Sequence, residues 1–396
     1  MKIRHAAGTA LLVSALVAAG TTGAWAGADG AHGKIKQLTV LKPLYDVGVQ
    51  PHLSRLSNSK AAAAAPSIPL FHRTVTDGTK TFPYTMVGKN PFKSQANGAV
   101  NVPTVIVPVI IKLANGDTFN PTVADSCAPS SSVTRMLNSP IFKSKKYTWG
   151  GTNVGTGQYV SVFRRAEFWS KTKPSGLNPD LQVTLKPTTT TPITVTVPAV
   201  DSAFETITCG DLGAMEVNWW DNEVQSVLMP ELAARGFGSG DFPIFLLSNV
   251  VEYDTTTTNC CILGYHSAFT NASDAGTTTY ATAMYDNTHN AFGKGVKDIS
   301  ALSHEVAEWM DDPLVDGVNN QTKPWGNIGQ VVGCQDNLEV GDPLSGTLQP
   351  TKLGGQTWHP QELAFFSWFY HQSPSIGVNH WYSSDATFKK SAARCR

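Results

Sequence analysis

The chain has 396 residues, which is enough for a sizeable core and predicts two domains. Its 30 basic and 30 acidic residues balance, which argues against a nucleic acid or an acidic membrane as a partner. Charged residues make up only 15% of the chain, a composition that fits a rigid, β-rich extracellular protein better than a cytosolic enzyme.

The N-terminus has the pattern of a secretory signal peptide. Lys2 and Arg4 form a basic start, an apolar run follows over 6–19, and Ala24-Trp25-Ala26 is a small-residue cleavage site. The run is shorter than the roughly 20 apolar residues that a membrane anchor needs. We therefore expect residues 1–26 to be a signal peptide cleaved after Ala26, and the mature protein to be secreted, extracellular or periplasmic, without a membrane anchor.

The cysteines fit an exported chain. There are six of them: Cys127, Cys209, Cys260, Cys261, Cys334 and Cys395. An even number predicts disulfides, although the sequence does not choose among about 15 pairings. We expect the adjacent Cys260 and Cys261 to reach two different partners rather than each other. The absence of a C-x-x-C motif argues against a structural zinc cluster.

The first half of the mature chain contains a leader and a strand-rich region. Residues 27–69 read as a flexible leader or prosegment, and residues 70–200 as a β-rich domain. Pro103 and Pro108 interrupt the apolar run "VPTVIVPVIIKL", which predicts edge strands. The segment "LQVTLKPTTTTPITVTVP" predicts a hairpin around a Thr/Pro turn. The glycine-rich "GGTNVGTG" lacks the lysine of a phosphate-binding loop and is predicted to be a turn.

Residues 201–396 form the second predicted domain, with a strand, a helix, three strands and a second helix. The predicted elements are a strand in "AMEVNWW", a helix in "NEVQSVLMPELAARG" kinked at Pro230 and closed by Gly236, strands in "FPIFLLSNVVEY", "CCILGYHSAF" and "TTYATAMYD", and a helix capped by Asp298 or Ser300. Asp312, which precedes Pro313, should end this last helix.

The last helix carries the string "LSHEVAEWMDDP". At 100° per residue, one side gathers the apolar residues Ile299, Leu302, Val306, Trp309 and Met310, which should pack on the sheet. His304 and Glu308 lie one turn apart on the opposite side, with Asp311 in the same sector and Glu305 at its flank. The pattern therefore predicts a nitrogen and a carboxylate at metal-ligand spacing. A solvent-facing His–Glu pair on an ordinary amphipathic helix is the alternative.

This string resembles the H-E-x-x-H motif of the zincin metallopeptidases, with Glu308 in place of the second histidine. The resemblance implies an α+β fold in which a zincin-like twisted mixed sheet precedes the active-site helix, here after a β-rich N-terminal domain. It also implies that the last strand before the helix, "TTYATAMYD", lies at the sheet edge and pairs with peptide substrates.

The gluzincin branch of that family takes a third ligand, a glutamate, from a downstream element. "CQDNLEVGDPL" offers Glu339 and Asp342, and the family pairs such a glutamate with an aspartate one turn later that orients a histidine ligand. One histidine and two carboxylates would make a site less selective for zinc than the family's, so manganese, iron or calcium are alternatives to zinc. His266 is either a second nitrogen ligand or a structural hydrogen-bonding residue.

A looser resemblance links the chain to the secreted phosphate-induced (EXORDIUM-like) proteins of plants. They carry a similar H-E-x-x-E helix, a later E-x-x-D and an upstream Gly-aromatic-His, like Gly264-Tyr265-His266 here. Strings such as "SHEVAEWMDDP" and "LEVGDPL" also resemble uncharacterised exported bacterial proteins. These resemblances cover residues 215–344.

Two functions of different classes follow. The first is a secreted metal-dependent hydrolase, a peptidase acting on peptide or protein substrates, in which Glu305 is the general base and Asp311, Asp312 or Asp342 orients His304. The second is a non-catalytic extracellular protein that keeps a zincin-like fold and binds cell-wall or matrix material. Glu305 favours the first function, whereas the missing second histidine and the plant resemblance favour the second.

Overall fold

The computed structural model describes residues 35–44, 67–94, 97–172, 178–270, 277–328, 331–392 and 395. The predicted signal peptide, 1–26, lies outside the described residues. Of the predicted leader, 27–69, the structure describes residues 35–44 and 67–69.

The described chain is a mixed α and β structure with mostly strands and a few helices. The strands are β1 (Lys36–Gln37), β2 (Leu70–Asp77), β3 (Lys80–Val87), β4 (Ala99–Lys112), β5 (Thr118–Phe119), β6 (Lys145–Trp149), β7 (Thr152–Gly157), β8 (Gln182–Thr189), β9 (Ile193–Thr196), β10 (Ser202–Ile207), β11 (Gly210–Glu216), β12 (Phe242–Ser248), β13 (Val250–Tyr253), β14 (Cys260–Ile262), β15 (Gly264–Thr270), β16 (Thr277–Tyr285), β17 (Trp325–Ile328), β18 (Val331–Gln335), β19 (Thr351–Leu353) and β20 (Gln356–Trp358). The α-helices are α1 (Ser132–Leu137), α2 (Tyr159–Glu167), α3 (Val217–Glu223), α4 (Met229–Ala234), α5 (Ser300–Asp311) and α6 (Phe366–Phe369). A π-helical turn (Val224–Leu228) joins α3 to α4, and 3₁₀ turns cover Trp169–Lys171, Asp342–Leu344 and Val378–His380.

A mixed sheet of seven strands lies under α5. Its path is β15-β16-β12-β4-β5, and β8 and β9 also pair with β4. β12 runs parallel to both β4 and β16, whereas β15 runs antiparallel to β16. Strands from both sides of the predicted domain boundary at residue 200 therefore share one sheet. One apolar core also joins Ile106 on β4 to Leu302 on α5.

β4 is a single strand in the interior of this sheet, so the prediction of edge strands around Pro103 and Pro108 is wrong. The pairing with β12 begins at Thr104, one residue after Pro103, and ends at Pro108. On the other side β8 pairs as far as Ile106, and β9 takes over from Val109. Pro108 thus lies between the end of the pairing with β8 and the start of the pairing with β9. Its missing N–H therefore removes no hydrogen bond to either of these two strands.

Two further predictions about pairing are corrected. β8 and β9 do not form a hairpin, because both run parallel to β4 and follow one another along it. β16, the last strand before α5, is not at the sheet edge, because it lies between β12 and β15. β15 occupies the edge that the zincin resemblance assigns to β16.

A second sheet has the order β1-β10-β11-β13-β14. Residues of the predicted leader form β1, which runs parallel to β10. β14 is the last strand in the path at the opposite side, and Leu263 joins it to β15 of the larger sheet. The chain thus passes from the second sheet directly into the larger one at Leu263, just before His266.

The helices follow the predicted pattern with local differences. α5 ends at Asp311 with Asp312 as its C-cap, as predicted, but its N-cap is Ile299, with no side-chain capping bond, rather than Asp298 or Ser300. The predicted strand over 214–220 ends at Glu216, and helix begins at Val217. Pro230 stands in the first turn of α4, directly after the π-helical turn, where a proline without an N–H is tolerated.

Three disulfides are present: Cys127–Cys209, Cys260–Cys261 and Cys334–Cys395. The expectation that Cys260 and Cys261 reach different partners is wrong. The peptide bond between them is cis, their Cα atoms lie 3.0 Å apart, and they bond to each other. The disulfides are consistent with an extracellular protein. Among the described residues, no helix combines the length and the apolar character that crossing a membrane requires.

Candidate metal centre

Helix α5 is oriented by its apolar side, as its sequence pattern predicts. Leu302, Val306 and Trp309 are fully buried in the core that α5 shares with the sheet. The Trp309 ring stacks on Phe242 of β12, with 3.6 Å between ring centroids, and its Nε1 donates to Thr279 Oγ1 at 2.8 Å. These contacts fix the rotation of the helix about its axis. The opposite side, which carries His304 and Glu308, is also buried against other parts of the chain.

His304 directs one ring nitrogen at carboxylates and the other at an amide. Its Nε2 lies 2.9 Å from Glu308 Oε2 and 3.5 Å from Asp342 Oδ1. Its Nδ1 lies 3.1 Å from Gln361 Oε1, and Gln361 Nε2 donates to Gly341 O at 2.7 Å. Because the carbonyl of Gly341 only accepts, it fixes the amide so that Oε1 faces the imidazole. A neutral His304 then carries its hydrogen on Nδ1 and presents the Nε2 lone pair to the carboxylates.

His266 on β15 approaches the same carboxylates from the opposite side. Its Nε2 lies 2.9 Å from the backbone oxygen of Asp312, which only accepts, so this nitrogen carries a hydrogen. Its Nδ1 is left facing Glu305 Oε2 at 3.5 Å and Glu308 Oε2 at 3.9 Å. The structure therefore places His266 inside the cluster, and a neutral His266 would direct its Nδ1 lone pair at these carboxylates.

The segment around Gly341 completes the cluster. The backbone N–H groups of Gly341 and Asp342 donate to Glu308 Oε1 at 3.0 and 3.1 Å, which leaves Glu308 Oε2 for the histidines. A Cβ on Gly341 would lie 2.5 Å from His304 Nδ1, so this close approach requires glycine. Glu339, two residues earlier, brings its Oε2 to 3.9 Å from His266 Nε2.

The donor set fits a metal ion. His266, Glu305 and Glu308 form one buried group and His304, Glu308 and Asp342 another, each with ligand atoms within 4.8 Å of one another. Glu339 Oε2 is buried and makes no hydrogen bond, which is costly unless a cation or proton is near. Imidazole and carboxylate donors suit zinc, manganese or iron, whereas calcium prefers oxygen donors alone. The buried His/Glu/Asp group could therefore hold a metal ion, of an identity that the donors alone do not determine.

The charges of the cluster also need compensation. Among the described residues, the ion-pair partners of Glu305, Glu308 and Glu339 are the two histidines, and no lysine or arginine. Buried charges are usually paired or bound to metals. With more carboxylates than imidazoles in a water-poor site, added positive charge is favourable.

The pKa shifts have the same origin. Burial lowers the pKa of His304, but Glu308 and Glu305 outweigh it and raise that pKa well above its ordinary value. Burial raises the pKa of Glu308, but His304, His266 and the N–H of Gly341 together outweigh it, so the pKa is lowered overall. Burial, with the neighbouring carboxylates, raises the pKa of Glu339 well above its ordinary value, and burial also raises that of Glu305. The cluster thus takes up protons when no other cation is bound, and metal binding should release them.

The three aspartates suggested for orienting His304 have different positions. Asp342 lies beside His304 Nε2 itself, so it is placed as a ligand rather than behind the ring. Asp312 contributes its backbone oxygen to His266, and its side chain accepts from Val315 N. Asp311 forms an ion pair with Arg164 on α2. The amide of Gln361 takes the orienting position at His304.

Sequence reasoning did not identify Gln361, the close approach of Gly341, or Glu252 on β13. Glu252 is fully buried, neither of its carboxylate oxygens has a hydrogen bond, and burial and the charge of Glu305 raise its pKa well above its ordinary value. The available signal for Glu252 was a lone acidic residue within the apolar run "FPIFLLSNVVEY". Gln361 gives no such signal, because its role depends on contacts with His304 and Gly341, which are both distant from it in sequence.

A small cavity reaches the cluster. It has a volume of about 20 Å³, room for a single water molecule, and its walls include Leu44, Gly264, Ala301, His304, Glu305 and Gln361. Glu305 is therefore the carboxylate of the cluster that lines this cavity together with His304. The cavity is far too small for a peptide in this arrangement of the chain.

Gln361→Leu is expected to weaken zinc binding by about 10- to 100-fold, the usual effect of removing the group that orients a histidine ligand. The change keeps the side-chain size but leaves His304 Nδ1 without its acceptor. Competition with a chromophoric chelator measures the affinity. Gln158→Leu is the matched control, because Gln158 is also buried but bonds to Phe142 and Leu185. Equal affinities in the two variants would contradict the orienting role.

The geometry of the cluster is the observation that bears on function, because comparisons of the chain with protein-family models, curated proteins and solved structures found no match.

Proposed function

We propose that this protein is a secreted, metal-dependent hydrolase that cleaves peptide bonds. The observation that carries the proposal is the convergence of two histidine nitrogens and several carboxylates in one buried cluster, beside a cavity lined by His304 and Glu305. Each histidine is oriented by an acceptor behind it, as is usual for metal-ligating imidazoles. This supports a metal centre over an ordinary solvent-facing helix.

Four side chains are best placed to hold the cation. His304, Glu308 and Asp342 form the set with the shortest contacts, and His266 brings its Nδ1 to 3.9 Å from Glu308 Oε2. Glu339 is a further candidate, although its Oε2 lies beside His266 Nε2 and outside both groups of ligand atoms. A second nitrogen from His266 removes the departure from the zincin ligand set, in which two histidines bind zinc. We therefore favour zinc. When bound, such a cation lowers the pKa of water and polarises a carbonyl oxygen.

Glu305 is the residue placed to move protons. Its Oε1 lies 4.0 Å from His304 Nε2 and its Oε2 lies 3.5 Å from His266 Nδ1, and it borders the cavity that has room for one water. Burial raises its pKa toward the range where a carboxylate can accept a proton from water and return it to a leaving amine. We assign it the role of general base.

A structural metal in a non-catalytic extracellular protein is the second candidate. It is favoured by the burial of the whole cluster, since His304 and Glu305 are each only 5% exposed. A protein of this kind would bind cell-wall or matrix material elsewhere on its surface. The two candidates share the metal and differ in the need for Glu305.

Elemental analysis of the purified full chain tests the metal centre. We expect the wild type to retain a divalent transition metal through dialysis, and His304→Ala to retain less than a tenth of it. The matched control is His72→Ala, because His72 is an exposed histidine on β2.

The same experiment has a second readout in stability. Zinc at about 100 times its dissociation constant should stabilise the wild type by about 2.7 kcal/mol, because it binds the folded state only. It should leave the melting temperature of His304→Ala unchanged. A wild type that holds no metal and is not stabilised by zinc, manganese or iron contradicts the proposal.

A further inference from the structure

Residues 35–44 of the leader are bound along the second sheet. β1 pairs in parallel with β10, and Leu38, which is 2% exposed, donates its N–H to Phe204 O at 2.9 Å. The segment then crosses the sheet to its other side. There the backbone oxygen of Lys42 accepts from Cys261 N, and Leu44 N donates to Cys261 O at 2.8 Å.

These bonds add residues 42–44 to the free edge of β14. β14 is the last strand in the path of its sheet, and Leu44 forms a parallel bridge with Ile262. Both hydrogen bonds run between the two backbones, so they are independent of the side chains of residues 42–44 and could be made by another extended peptide.

This edge leads directly to the candidate metal centre. Gly264 follows β14 after one residue, and a Cβ there would lie 3.0 Å from Glu305 Cγ. His266 comes two residues later on β15. A chain bound along β14 is therefore delivered to the side of the cluster where Glu305 lies.

Leu44 is part of the wall of the space beside the cluster. It lines the same cavity as His304 and Glu305, which has a volume of about 20 Å³. Backbone pairing along an edge together with a pocket for a side chain is how extended peptides are recognised by β-addition.

We propose that the edge of β14 is a binding groove for extended peptides with a leucine-like side chain, and that residues 42–44 of the leader occupy it as an intramolecular competitor. This inference rests on the proposed function, whose substrate class and regulation it names. The small cavity then describes the self-occupied form, and displacement of residues 42–44 widens the path to His304 and Glu305.

The test uses a fluorescent peptide with the sequence LTVLKPLYD, residues 38–46 of this chain, added to the full-length protein carrying Glu305→Gln. We expect Leu44→Ala in that background to bind the peptide about tenfold more tightly, because the competitor has lost its apolar side chain. Val40→Ala is the matched control, since Val40 lies in the same segment but is 41% exposed. It should bind as the parent does.

A second measurement needs no substitution in the leader. Excess peptide should accelerate hydrogen exchange at the Leu44 amide of the parent protein, because that amide loses its bond to Cys261 O. A peptide with alanine in place of its last leucine, the one corresponding to Leu44, should bind about tenfold more weakly. Equal binding by Leu44→Ala and its parent, or by the two peptides, overturns the groove.

Failure of the groove and failure of the peptidase are distinguishable, because binding is measured with Glu305→Gln and requires no hydrolysis. If the protein that retains Glu305 binds the peptide but does not cleave it, the groove is supported and the proposed peptidase activity is wrong. If the protein cleaves the peptide, and neither Leu44→Ala nor the alanine substitution in the peptide changes the rate, the peptidase activity is supported and the groove is wrong.

Discussion

Glu305→Gln is expected to lower the rate of peptide hydrolysis by a factor of about 10²–10⁴ and to leave the metal content unchanged, because the amide keeps the size of the side chain but cannot accept a proton. Glu305 borders the cavity, whereas the shortest contacts of the ligand set belong to His304 and Glu308. Initial rates on a quenched fluorescent peptide, with elemental analysis of the same samples, measure both quantities.

The control for this prediction is Glu223→Gln, on the partly exposed end of α3, which should leave both rate and metal unchanged. A loss of metal in Glu305→Gln would show that Glu305 is a ligand, as its place in the group with His266 and Glu308 allows. Equal rates of hydrolysis by wild type and Glu305→Gln would show that Glu305 is not the general base. Absence of activity in both, with the metal retained, would favour the structural role.

Local periodicity predicted the parts of the fold that one segment determines by itself. The apolar side of α5 was predicted correctly because Leu302, Val306 and Trp309 recur at helical spacing, and that spacing alone decides which side packs on the sheet. Asp312 was likewise predicted to end the helix because the following Pro313 disfavours helical backbone there.

Long-range pairing was not predictable in the same way. β4 reads as edge strands because of its prolines, yet it is placed in the sheet interior by partners that come much later in the chain. The role of Gln361 at His304 depends on a contact between residues 57 apart, and nothing in the sequence around either residue encodes it. His266 could be suggested as a ligand but not chosen, because its ring direction depends on the backbone oxygen of Asp312.

A second set of buried charges fixes the C-terminal end of α5. Arg164 on α2 is fully buried, forms an ion pair with Asp311, and has its Nε 3.4 Å from Glu167 Oε1. It also donates from Nη2 to the backbone oxygen of Met310 at 2.7 Å. One guanidinium thus serves two buried carboxylates and the end of the helix that carries the metal centre.

Arg164→Met is expected to lower the free energy of unfolding by about 3–5 kcal/mol, because it leaves the buried Asp311 without its cation and the buried Glu167 without its polar partner. Urea denaturation of the oxidised protein, followed by tryptophan fluorescence, measures the change. A triple variant that also carries Glu167→Gln and Asp311→Asn should recover at least half of the loss, because no charge is then left buried. A loss below about 1 kcal/mol for Arg164→Met, within the range of surface ion pairs, would contradict this role.

Glu167→Gln alone is expected to change the unfolding free energy little below about pH 4, to raise it relative to wild type as the pH increases toward neutral, and so to flatten its dependence on pH. Burial, with the charge of Asp311, raises the pKa of Glu167 well above its ordinary value, so the folded protein keeps a proton there that the unfolded chain loses. A raised carboxyl pKa in the folded state means that stability is greatest below the unfolded glutamate's pKa and falls as the pH rises above it, by up to about 1.4 kcal/mol per pH unit. The glutamine variant lacks this group's contribution. An identical pH slope in wild type and variant would show that Glu167 is ionised beside Arg164, and that the guanidinium holds two full negative charges.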